Sequence, residues 1–138
     1  MNQPSEKKIP GSPQDWLIHA KSDLNLARIA KNGENILPEQ ICFHAQQAAE
    51  KALKAVLLHR RIEFPLIHDI DALIEIANDG GISLPPEIAN AGLLTPYAVE
   101  ARYPGYWGEI TFEDINEAIS LAESIVAWAN GIILQEKE

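Results

Sequence analysis

His44, Gln47, Lys51 and Lys54 fall within one narrow stripe when residues 38–60 are wound at 100° per residue. The stripe lines up an imidazole, an amide and two ammonium groups. Such a row is either a well-solvated helix surface or the wall of a site for a polyanion. His44 adds the one side chain type that exchanges a proton near neutral pH. Further along, Arg102 offers a planar fork of donors that suits a phosphate. Tyr103 and Tyr106 follow it, with Trp107 and the earlier Tyr97. These rings suit stacking on bases, and they equally suit the apolar plug of a dimer interface.

Each of these residues also has a plain structural reading. Gln47, Lys51 and Lys54 would keep one helix face wet, with Glu50 pairing to Lys54 at i,i+4. His44, beside Phe43, would be a hydrogen-bonded residue at a helix contact. Arg102 would be a surface cation at a helix C-terminus. His68 and Asp69 are adjacent, so they do not face each other on a helix, and Asp69 reads as an N-cap. His19 and His59 read as surface residues. No His, Asp or Glu set has metal-ligand spacing, so neither a metal nor a cofactor is expected. There is no phosphate-cradling glycine loop and no nucleophile elbow.

The elements that must carry these residues are helical. The chain has 138 residues, 46% of them apolar, which suits one domain with one core. A net charge of −9 argues against a protein that coats DNA. Positive charge is nevertheless concentrated locally in Lys51, Lys54, His59, Arg60 and Arg61. The lone cysteine, Cys42, has no disulfide partner and sits on an apolar face, where it reads as a small buried hydrophobe. No signal peptide and no run of about 20 apolar residues is seen, so a cytoplasmic protein without a membrane span is expected.

Residues 1–11 are polar and broken by Pro4, Pro10 and Gly11, which reads as a loose tail before a domain over 12–135. Ser12 and Asp15 flank Pro13 in the pattern of a helix start, and Gly33 ends that helix. Pro38 opens a second helix that runs to about Arg60, with Ile41, Ala45, Ala49, Ala52 and Val56 on its apolar side. A third begins at His68-Asp69 and stops at Asn78-Asp79-Gly80-Gly81. Two short helical pieces, 85–91 and 93–101, are expected on either side of Gly92. Thr111 and Asp114 start a final helix that reaches Ile133. No run alternates like a strand. An all-α, up-and-down four-helix bundle follows, with an extra short broken helix between the third and fourth helices.

Four pieces of this chain resemble the HEPN domain family, also described as nucleotidyltransferase substrate-binding-like proteins. They are Trp16 with Ala20-Lys21-Ser22-Asp23-Leu24, the helix Cys42–Ala55, His68-Asp69-Ile70, and Ala101-Arg102-Tyr103-Pro104. The resemblance implies a homodimer with a cleft at its interface, and pairing with a minimal nucleotidyltransferase of a toxin–antitoxin type. In it, His44, Gln47 and Lys51 become wall residues of a nucleotide- or RNA-binding cleft, with Arg102, Tyr103 and Tyr106. Many relatives cut RNA through an Arg-x(4–6)-His motif. Here Arg102 stands in that motif, but 103–109 contain no histidine. The expectation is therefore a binding protein. Two alternatives stay open: a metal-independent RNA endonuclease using Arg102 with another acid or base, and a structural dimer without ligand.

Overall fold

The computed structural model describes residues 11–98 and 109–135. Four α-helices and one 3-10 helix make it up: α1 (Pro13–Lys31), α2 (Pro38–His59), α3 (Ile70–Asp79), the 3-10 helix (Pro86–Ala98) and α4 (Phe112–Gln135). The described residues contain no strand. Tail residues 1–10 and the Arg102, Tyr103 and Tyr106 element lie outside the described residues.

Local chemistry sets the helix ends. Ser12 Oγ accepts from Asp15 N at 3.0 Å while Asp15 Oδ2 accepts from Ser12 N at 3.1 Å, a closed capping box. Thr111 and Asp114 repeat it at α4, at 3.1 and 2.9 Å. Asp69 Oδ1 accepts from Ala72 N at 3.2 Å and caps α3.

Helix α2 is the axis of the domain. It packs against α1, α4, α3 and the 3-10 helix. Ala45, Ala48, Ala49, Ala52 and Ala55 are fully buried, and their small side chains let the neighbouring helices come close. Leu53, Leu57, Ile88, Leu94, Ile125 and Ile133 fill the space around them, each worth roughly 1.5–3 kcal/mol of burial. Helix α4 is apolar and long enough by composition to cross a membrane. Its Ile115, Ile119, Ile125, Val126 and Ile133 are instead spent on this core.

The region before α4 departs from the two pieces expected. Residues 86–98 form one 3-10 helix that runs through Gly92. A Cβ at Gly92 would strike the Asp71 carboxylate. Nearby, Ile70 N donates to Thr95 Oγ1 at 3.0 Å. Gly92 therefore serves a close approach to the start of α3 and does not break the helix.

Two helices end in the same way with different residues. At α3, Ile82 N donates to Ala77 O and Gly81 N to Asn78 O, both at 3.0 Å, with Gly81 at φ 87°. At α2, Ile62 N donates to Leu57 O at 2.9 Å and Arg61 N to Leu58 O at 3.0 Å, with Arg61 at φ 61°. Both are Schellman ends, which favour glycine at the left-handed position. Arg61→Gly is expected to raise stability by about 0.5–1 kcal/mol, read as an increased midpoint in urea denaturation.

Candidate functional site

The row of polar groups on α2 lies at the seam between α1 and α2, not on an open face. Asp23 of α1 receives two of its members, His44 and Lys51. Its Oδ1 is 3.2 Å from His44 Nδ1, and its Oδ2 accepts from Lys51 Nζ at 2.8 Å. The side chains of His44 and Lys51 keep 31% and 24% of their surface exposed, against 12% for Asp23. One carboxylate thus holds an imidazole and an ammonium seven residues apart along α2, at the edge of solvent. With the proton on Nδ1, the ring donates to Asp23, and Nε2 is left as its basic nitrogen. Gln47 sits between them and turns away, donating through Nε2 to Gln46 Oε1 at 2.8 Å.

Lys54 departs from the solvated stripe. Its side chain is only 6% exposed. It donates to Glu50 Oε2 at 2.8 Å, so the i,i+4 pair forms, but inside the protein. Its ammonium is 5.9 Å from the ring centres of both Trp16 and Phe64, a cation held among aromatic rings. Glu50, with a 3% exposed side chain, is a hub. It also accepts from Gln46 Nε2 at 2.9 Å and lies 2.9 Å from His68 Nδ1. His68 thereby ties the connection before α3 to α2.

Asp23, Gln46, Glu50 and His68 carry much of this geometry; the sequence pairs Glu50 with Lys54 but assigns none of the four to the site. Position was the available signal. Gln46 and Glu50 follow the helical row Cys42, Leu53, Leu57, and Asp23 follows Trp16 by seven residues on the inner face of α1. A charge or amide inside an apolar row needs a partner. His19 is exposed and His59 half-buried.

A second feature adjoins the row. Gly11, Asp15, Trp16, His19 and Lys51 line an open groove of about 450 Å³. Lys51 is common to the groove and to the Asp23 cluster. Elsewhere, Cys42 is buried, as its apolar position implies, and its thiol is hydrogen-bonded with Tyr97. Burial pushes that thiol up to about 12, which keeps it protonated and inert as a nucleophile. Burial likewise raises the Tyr97 phenol. Tyr97 therefore anchors the end of the 3-10 helix to α2. Among the described residues no group of three His, Cys, Asp or Glu side chains is placed to hold a metal ion.

A helical bundle of this size, with imidazole and ammonium groups fixed by one carboxylate along its central helix, defines a compact all-α domain with a polar seam. The HEPN domain family model matches residues 13–132, and the chain belongs to that family. The crystal structure of ST0689, an archaeal HEPN homologue, is similar at a TM-score of 0.69 and 32% sequence identity, over 88% of this chain and 98% of that one. No curated protein matches the sequence.

Proposed function

We propose that this HEPN domain binds nucleotide or single-stranded RNA as a cytoplasmic homodimer and works with a minimal nucleotidyltransferase partner in a toxin–antitoxin-like pair. Family membership supports the general setting. The observation that carries the binding reading is the Asp23 cluster. It fixes His44 and Lys51 at the solvent edge of the α1–α2 seam, where the Lys51 ammonium can donate to a phosphate with the His44 ring beside it. Gln47 lines the same row. Arg102 supplies the bidentate fork, and Tyr103 and Tyr106 supply stacking surfaces.

Combining Arg102→Ala with Lys51→Gln is expected to weaken binding of a single-stranded RNA by about tenfold or more, as two phosphate contacts are lost. Glutamine keeps a donor for Asp23, so the melting temperature should stay within a few degrees of wild type. Fluorescence anisotropy across a salt series checks this. Unchanged affinity with an unchanged salt slope would remove these residues from the site.

A second reading is favoured by the same carboxylate. An imidazole oriented by a carboxylate is a general-base arrangement. His44 would then replace the histidine missing after Arg102, and the domain would cut RNA without a metal.

A further inference from the structure

Of the groove beside the row, only Lys51 has a part in the binding just proposed. Trp16 and His19 come from α1 and Lys51 from α2, with Asp15 and Gly11 at one end. At about 450 Å³ it lies within the range of small-molecule sites, roughly 300–1,000 Å³. Gly11 is in the left-handed region at φ 94°, and a Cβ there would come within 3.2 Å of Trp16 Nε1. The backbone therefore closes tightly over the edge of the indole. Trp16 is held from within, with the Lys54 ammonium 5.9 Å from its ring centre and that ammonium in turn fixed by Glu50. A half-buried, braced indole is a stacking surface.

Charge decides what accompanies the ring. Lys51 spends one N–H on Asp23 and, as an ammonium, carries two more. That ammonium is paired with Asp23, and Asp15 stands in the groove lining as a second carboxylate. Lys51 can give one phosphate oxygen a direct contact, while Asp23 and Asp15 disfavour a ligand that brings several negative charges.

We infer that the groove is a base subsite for one nucleotide of a single strand. The base stacks on Trp16, its singly charged phosphodiester meets Lys51, and His19 offers a hydrogen bond at the rim. The inference rests on the RNA-binding reading and adds to it a subsite away from the Arg102 element in sequence. It also selects a diester over a nucleoside triphosphate.

The test uses the full chain labelled with nitrogen-15, with the Trp16 indole signal assigned by Trp16→Phe. The probes are adenylyl-adenosine, ribose 5-phosphate, ATP and an oligoadenylate of about twelve nucleotides. Adenylyl-adenosine is expected to shift the Trp16 signal saturably, and ribose 5-phosphate to leave it unmoved. ATP should bind at least about fivefold more weakly than the dinucleotide. His19→Ala and Lys51→Gln should each weaken the dinucleotide by about fivefold while the rest of the spectrum is preserved. If the oligoadenylate binds and the Trp16 signal does not move, the subsite falls and the RNA-binding reading stands. If neither the oligoadenylate nor the dinucleotide binds, both fall. ATP binding as tightly as adenylyl-adenosine would overturn the charge argument.

Discussion

Glu50→Ala should unfold at a temperature roughly 10–15 °C below wild type, a loss of about 3–5 kcal/mol. The size follows from what the carboxylate leaves behind. The Lys54 side chain is 6% exposed, and its ammonium donates to Glu50 Oε2 at 2.8 Å. The rings of Trp16 and Phe64 at 5.9 Å ease the ammonium but do not replace an anion. Gln46, fully buried, loses the closer acceptor of its Nε2 at 2.9 Å and keeps only His68 O at 3.4 Å, and a buried amide left short of an acceptor costs about 1 kcal/mol. His68 is affected least, since 61% of its side chain is exposed and water can take the carboxylate's place. The double variant Glu50→Leu with Lys54→Met removes both charges together. It should recover most of the loss, because an ion pair of this kind is costly chiefly when halved. Urea denaturation of wild type, Glu50→Leu, Lys54→Met and the double variant gives the coupling directly. A loss below about 1 kcal/mol for Glu50→Ala would show that the hub does not hold the connection before α3 to α2.

The same residues show what can be read from sequence and what cannot. Helix starts were legible because a cap is a local event. Ser12 with Asp15, Asp69, and Thr111 with Asp114 all make the bonds that their spacing implies. The apolar side of α2 was legible from its period. The fate of its other side was not. A period of 3.6 residues says which side chains share a face, but not how many neighbours surround the helix. Because α2 is packed on by every other element, Lys54 and Glu50 face protein where a surface helix would face water. Gly92 misleads for a related reason. Its value lies in a contact with Asp71, 21 positions away in the chain, and no local rule sees that contact. His44 and Lys51 were legible as chemistry, but Asp23, which joins them, belongs to another helix. The Arg102 element lies outside the described residues, so its relation to the row remains part of the proposal.

Asp23→Asn separates the two readings of the site by the sign of its effect. The neutral amide has one oxygen where the carboxylate has two. Lys51 requires an acceptor, so the oxygen turns to it and the amide N–H₂ faces His44 Nδ1. The ring must then accept at Nδ1 and carry its proton on Nε2, which is the wrong tautomer for a base. At the same time Lys51 is no longer neutralised, and the seam gains one unit of positive charge. If the domain binds RNA through this row, Asp23→Asn should tighten binding by about threefold to tenfold at low salt, with the gain shrinking as salt rises. If His44 is a general base, cleavage of transfer RNA in EDTA should fall by about a hundredfold or more, despite the tighter binding. Wild-type protein that leaves the RNA intact removes the nuclease reading. An affinity that does not change with Asp23→Asn removes the row from the phosphate path. Lys51 and His44 would then be bolts between α1 and α2, and the groove at Trp16 would have to bind its nucleotide without them.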